Sequence, residues 1–424
     1  MQRHISSYLT GFNIRTDIED SKQKESFSSY IIIFLLLYIT SSYYLNVSNV
    51  VPGIVSVLLL LFSVIIGIFL NAKDFKLNFS LERLFLLFFL LIVALISAFI
   101  YQDGIYNHVI ILAAVISGYL FTLSYSFNRF VKIYTNLMYF ISIFSLVVFL
   151  IVSLYPSILY FAPIVGQRVG VNVHNLFFSV ALPGAEFNRN YGFFWEPGAF
   201  EVYLNMALMF ELFLTTKVRR KYIIIFIATI ATTFSTTGYF ALVPIIIAYI
   251  LKDKNYLLKN LRIFKYIALL IIVVPLMFKL MPEDYSRLLF GKLNGVFTES
   301  GSTHFSTSVR INAVVYPFYE FIKSPFIGIG YEKYLSMAAE KLYTMPTCTP
   351  INWFTLFGVL WGIPCNYYYL KNSFRYKCGT FSKILLAIAM LIIIFSEDFI
   401  RIAFIYVLVF YGVDSVKFTN KVEN

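Results

Sequence analysis

Apolar residues arrive here in long unbroken runs, not in the alternating or three-to-four spacing of a soluble chain. Such runs cover 28–47, 51–70, 84–101, 106–124, 134–155, 195–215, 265–281 and 351–370. At about 1.5 Å per helical residue, each approaches the roughly 30 Å hydrocarbon thickness of a bilayer. Two further runs, 222–251 and 384–415, are too long for one upright helix. Arg219, Arg220 and Lys221 precede the first, and Lys252 and Lys254 follow it. Both of its ends therefore belong on the basic side, and the run crosses an even number of times. "STTGY", Ser235 to Tyr239, is the expected turning point. The second run repeats the arrangement, with Lys383 before it, Lys417 after it and Glu397-Asp398 at its centre.

These runs predict an all-α polytopic membrane protein with about 12 transmembrane helices and both termini cytoplasmic. A cytoplasmic segment 1–27 leads into a five-span bundle, 28–155, whose first span reads as a signal anchor. An outer loop, 156–194, comes next, and spans six to nine occupy 195–281. A large periplasmic loop covers 282–350, spans ten to twelve cover 351–415, and a cytoplasmic tail covers 416–424. Most of the 34 Lys and Arg fall on the cytoplasmic side of this arrangement, while the short outer links near 46–51 and 102–107 carry none. Within the large loop, "TSVRINAVVYPFYEFIKS" reads as a helix kinked by Pro317 and ended by Pro325.

Composition agrees with the runs. The chain has 424 residues, 59% hydrophobic and 13% charged, with a mean hydropathy of +0.77. The net charge of +12 then reflects cytoplasmic loops rather than a nucleic-acid partner. Three cysteines, Cys348, Cys365 and Cys378, give no disulfide framework. Neither His-x-x-x-His, a Cys pair nor an outer-loop Asp-x-Asp is present, so no metal is expected.

Candidate chemistry concentrates in "NRNYGFFWEPGAF", Asn188 to Phe200. Glu196-Pro197 opens a span, and proline suits a first helical turn because its missing N–H would have no partner there. The helix N-terminus carries partial positive charge, and with Arg189 beside it the place favours an anion at the outer surface. Phe193, Phe194 and Trp195 would then lie at headgroup depth, and a second reading stays open: an aromatic belt with a snorkelling arginine and a helix-capping glutamate. Arg168, Arg310 and Arg401 also fall on the outer side, against the positive-inside bias. Arginine's planar fork grips phosphate oxygens in pairs. Arg401 stands four residues after Glu397, a spacing that suits a pair along one helix face.

With those residues in view, the chain resembles the Wzy-type O-antigen polymerases and, more distantly, the O-antigen ligases of the same superfamily. "RNYGFFWEPGAF" looks like the family's Arg-x-x-Gly-aromatic-x-Glu-Pro segment, and "TTFSTTGYFAL" is similar to its Ser/Thr-Gly turn. "VRINAVVYPFYEFIKSPFIGIGY" and "NWFTLFGVLWGI" resemble the motifs that precede and open the tenth span. Two departures separate the chain from the ligases: Asn352 follows Pro350 and Ile351 rather than a histidine, and Thr236 stands where ligases carry arginine.

The resemblance implies a GT-C-like, metal-independent glycosyltransferase at the periplasmic face of the cell inner membrane. It would join repeat units carried on undecaprenyl pyrophosphate, with a chain-length regulator protein as partner. Arg189 and Arg310 would hold the diphosphate, and Glu196 would be the base, with Glu320 or His304 behind it. Arg168 and Asn352 would bind substrate, and Tyr191, Trp195, Tyr316 and Tyr319 could stack on sugar faces. The rival readings are an O-antigen ligase, a lipid-linked oligosaccharide flippase or other transporter, and a scaffolding membrane subunit.

Overall fold

The structure, a computed structural model, describes residues 26–47, 53–72, 78–168, 170–176, 178–182, 188–215, 217–252, 302–342 and 346–414, with 71–72 and 302–310 as backbone alone. The expected span 265–281, the tail 416–424 and most of the segment 1–27 lie outside the described residues. What is described is mostly helical. Helices α1 (Phe27–Ser41), α2 (Tyr43–Asn46), α3 (Gly53–Ala72), α4 (Leu81–Tyr101), α5 (Ile105–Ser124) and α6 (Phe127–Leu154) form the first half. Helices α7 (Pro197–Phe213), α8 (Arg220–Thr233) and α9 (Thr236–Ile250) follow, then α10 (Ser302–Lys323) and α11 (Tyr331–Lys341). The last three are α12 (Thr349–Lys371), α13 (Thr380–Ile394) and α14 (Ala403–Val413). Among the described residues, four helices are long and apolar enough to cross a membrane, spanning Gly53–Leu70, Leu81–Tyr101, Ile105–Ser124 and Phe127–Leu154; α1, α9, α13 and α14 are shorter apolar helices. Phe62, Phe69, Phe85 and Phe99 stand exposed on α3 and α4, a surface suited to hydrocarbon.

Two helices lie at the centre. Every residue of α14 is buried, as is nearly all of α7, and both are apolar around most of their circumference. In a bilayer, helices gain little by leaving lipid, so close packing must hold them together. Gly118 of α5 provides it: a Cβ there would lie 2.7 Å from the Tyr406 Cβ on α14. Gly412 likewise lies against the Tyr368 carbonyl of α12.

Several expected runs are interrupted, each for a visible reason. The run 28–47 breaks at Ser42, which bridges to Phe194, and Tyr43 N–H donates to the Phe193 carbonyl at 2.9 Å. The run 222–251 breaks at Phe234, which takes a left-handed φ of 49°, and α9 starts at Thr236. The run 351–370 is broken inside α12 at Gly358, with φ 69°. There the segment Ser324–Gly330 crosses, backbone against backbone. Val359 N–H donates to the Pro325 carbonyl at 2.7 Å, and Ile329 N–H to the Thr355 carbonyl at 2.8 Å. The crossing thus reuses polar groups that the break takes from the helix ladder. Gly328, φ 76°, and Gly358 are both required, because a Cβ on either would overlap the other strand's backbone. Pro317 lies inside α10, which ends at Lys323, just before Pro325.

The described residues are mostly helical, with one small sheet in the expected outer loop. Part of the loop 156–194 forms a 3-10 turn, Pro156–Phe161, and a three-stranded antiparallel sheet of β1 (Ile164–Arg168), β2 (Val171–Asn175) and β3 (Val180–Ala181). Val165 and Val173 from "VGQRVGVNVHN", with Val180 of β3, pack together against Tyr43 and Tyr191.

Candidate functional site

The helices end in two chemically distinct layers. One, the basic end, gathers the starts of α4 and α6 with the C-termini of α5, α7 and α14. Here cations meet helix ends and buried carboxylates. Arg83 donates to the Thr122 carbonyl at 3.0 Å and pairs with Asp414, which Arg375 also reaches at 3.3 Å. Lys252 donates to the Leu212 carbonyl at 2.7 Å, near the end of α7. Arg219 forks onto Glu211, whose carboxylate is fully buried. Cations at helix C-termini meet the negative end of the helix dipole.

The opposite layer, the loop end, holds the β-sheet, the segment 188–196, the start of α7, the turn at Phe234–Ser235, the start of α12 and the linker 395–402 between α13 and α14. It brings together Arg168, Arg189, Tyr191, Trp195 and Glu196 from the sequence-predicted site. Glu196 occupies the N-cap position of α7, but its side chain makes no capping hydrogen bond. It pairs instead with Arg168, which also donates to the Trp195 carbonyl at 3.1 Å. Burial works against the Arg168 charge, but Glu196 and Tyr191 outweigh it and hold the pKa above the ordinary arginine value. Tyr191 sits among Arg168, Arg189 and Glu196, and burial pushes its hydroxyl pKa up despite the two arginines.

Arg189 donates from Nε to the Thr233 carbonyl at 2.9 Å and from Nη2 to the Phe234 carbonyl at 3.2 Å. It therefore closes the C-terminus of α8, as Lys252 closes α7 at the basic end. Asn190 fastens the same place: its N–H donates to the Thr232 carbonyl at 2.9 Å, and its Nδ2 reaches Ser145 and Thr232. The expected belt is corrected too. Phe193 and Phe194 are buried, stacked on one another with ring centres 4.3 Å apart. Exposed aromatics include Tyr155, Tyr160 and Phe161, beyond the end of α6.

The positive start of α7 is met by a carboxylate of the chain itself. Trp195 Nε1 donates to Glu397 Oε2 at 3.3 Å, and the Glu397 carboxylate lies against Gly198. The expected Glu397–Arg401 helical pair is absent, because the linker 395–402 is not helical. That linker is fastened on both sides of Asp398. Phe399 N–H donates to Thr349 Oγ1 at 2.8 Å, Thr349 donates to the Glu397 carbonyl at 2.6 Å, and Tyr406 donates to the Ile400 carbonyl at 2.8 Å. Asn352 lies alongside, donating to the Pro346 carbonyl at 3.0 Å, and its amide favours the charged form of Asp398.

Other candidates fall elsewhere. Glu320 pairs with Lys323 and, at 3.5 Å, with Lys333. Burial tends to raise its pKa, but the two lysines bring it below the ordinary value. Tyr319 is exposed beside Lys323, and Tyr316 is partly buried. The backbone of His304 and Arg310 lies in α10, while their side chains lie outside the described residues. One residue of this layer escaped the sequence reading. Asp103 accepts from the Tyr331 and Glu332 N–H groups, capping α11, and Glu332 in return accepts from Gly104 N–H at 3.0 Å. Its only sequence signal was an acidic residue in an otherwise uncharged short link. Compared with known proteins, the chain matches no protein-family model, and no curated protein matches it at a significant level.

Proposed function

We propose that this chain polymerises undecaprenyl-pyrophosphate-linked oligosaccharide repeat units into O-antigen or a related surface polysaccharide at the periplasmic face of the inner membrane. In this reading the basic end faces the cytoplasm and the loop end faces the periplasm. The chain crosses the bilayer about 12 times, with both termini inside. The observation that carries the proposal is the gathering of Arg168, Arg189, Tyr191, Trp195 and Glu196 at the end opposite the lysine-rich one. A glycosyl transfer from lipid pyrophosphate needs fixed positive groups for the departing diphosphate and a base for the acceptor hydroxyl.

Arg168 and Arg189 offer guanidinium groups already ordered by their neighbours, which lowers the reorganisation needed when charge develops. The resemblance to the polymerases also assigns Arg310, on α10, to the diphosphate. Glu196 is tied to Arg168, which suits it to aiming that fork rather than to accepting a proton. Tyr191 and Trp195 supply ring faces for a sugar. The growing chain would leave its lipid carrier here and pass to the next lipid-linked unit, with a chain-length regulator setting when it stops.

The test is a deletion strain complemented with the full chain. Loss of a polymerase leaves single repeat units on the cell surface, whereas loss of a flippase leaves none. Arg189→Ala and Arg310→Ala should give the single-unit pattern while the protein still inserts. A full-length polysaccharide ladder in both alanine variants, or no effect of the deletion on the ladder, would sink the reading. Purified protein should keep its activity in chelator; restoration by Mg²⁺ or Mn²⁺ after loss would refute metal independence.

A further inference from the structure

Carboxylates at the loop end are mostly spent on other groups. Asp103 caps α11, Glu332 accepts from Gly104, Glu196 pairs with Arg168, and Glu397 meets Trp195 and the start of α7. Asp398 differs. It is partly exposed and accepts from Ile400 N–H at 3.1 Å, with the Asn352 amide close enough to favour its charged form. Arg401 stands beside it, exposed, and no hydrogen bond among the described residues engages its guanidinium. The Oδ1 of Asn352, in the same cluster, is buried without a hydrogen-bond partner. The linker carrying both charges is irregular, yet fixed through Thr349 and Tyr406 on either side. An irregular segment clamped this firmly can hold side chains to the tolerance that catalysis requires.

We propose that Asp398 and Arg401 are the base and a leaving-group contact of the transfer, a step that rests on the polymerase reading above. The acceptor hydroxyl oxygen forms a bond to the anomeric carbon of the growing chain, and its proton passes to the Asp398 carboxylate. The anomeric carbon–oxygen bond to the lipid diphosphate breaks, and its electron pair leaves on the phosphate oxygen. Arg401 meets that oxygen and a second oxygen of the same phosphate with two parallel N–H groups. Asn352 is a positioning residue that orients Asp398. Burial pushes the Asp398 pKa above the ordinary aspartate value, while Arg401, the Ile400 N–H and Asn352 pull it back. A more basic carboxylate is a better proton acceptor near neutral pH.

The experiment uses the full chain in the deletion strain and in proteoliposomes supplied with that strain's own lipid-linked repeat units. Asp398→Asn and Arg401→Ala should each lower polymer yield by about 100-fold or more. Arg401→Lys should recover part of it, since a point charge replaces a fork. Glu340→Gln, on the exposed face of α11, should leave the ladder unchanged. In proteoliposomes, added formate should restore transfer to Asp398→Ala, because a small carboxylate can occupy the vacated place; a purely structural role would not respond. Wild-type ladders in Asp398→Asn or Arg401→Ala would overturn the proposal. So would Asp398→Ala protein that stays monodisperse but gains nothing from formate. If the wild-type chain restores no ladder, the polymerase reading fails instead, whatever the variants do.

Discussion

The two ends of the bundle use the same residue types differently. At the basic end, Arg83, Arg219, Lys252 and Arg375 each lie on a helix carbonyl, a carboxylate or both. Glu211 is fully buried under Arg219, so that pair is part of the packing. At the loop end, Arg168 and Glu196 pair while roughly a third of each side chain stays exposed (33% and 36%). Arg401 is exposed with Asp398 behind it. Arg189 closes α8, and Arg168 also reaches a carbonyl, but the Arg168–Glu196 pair stays near solvent. Buried charge that is fully paired fixes a structure, whereas charge left near solvent can meet a ligand. The comparison therefore predicts that substitutions at one end cost stability and at the other cost activity.

Thermal unfolding of detergent-purified variants breaks or sharpens that contrast. Arg219→Ala should have the largest effect, about 3–5 kcal/mol, because it strands a buried carboxylate. An unchanged melting temperature would show that the basic end is not held by this pair. Gly358→Ala should cost about 1–3 kcal/mol through its positive φ, and more if the backbone crossing is lost. Limited proteolysis near 325–330 would report that loss directly. Lys252→Ala removes one cation from the end of α7 and should cost about 0.3–1 kcal/mol. Glu196→Gln should shift melting least, within about 1 kcal/mol, since about a third of each partner stays in solvent. Its polymer chain length should nevertheless fall sharply. A variant at 196 that melts early yet polymerises normally would invert the comparison.

Much of this was legible in the sequence because the signals were local. Proline at 197 starts α7, the Ser235 turn divides the 222–251 run, and Glu397-Asp398 mark the break between α13 and α14. These follow from chain stiffness, helix propensity and the cost of charge in hydrocarbon. The parts that sequence reading missed depend on partners far away in the chain. Gly358 reads as an ordinary glycine in an apolar run until the Ser324–Gly330 segment is laid across it. Asp103 gains its role from the Tyr331 and Glu332 N–H groups, 228 and 229 residues later. Arg401 falls at helix spacing from Glu397, yet Trp195 and the start of α7 compete for that glutamate and win. The strands between 164 and 181 are hard to see in the sequence because two-to-five-residue alternation is faint beside twenty-residue apolar runs.

The crossing at Gly358 is built from main-chain atoms, and every polypeptide supplies the same ones. At Phe326 and Ile327 it is main-chain atoms that lie against Gly358, so the joint depends on the glycines keeping their register. Ancestry at this joint would be recorded in the distance between glycines rather than in the letters around them, and letter-by-letter matching is least sensitive to that kind of inheritance.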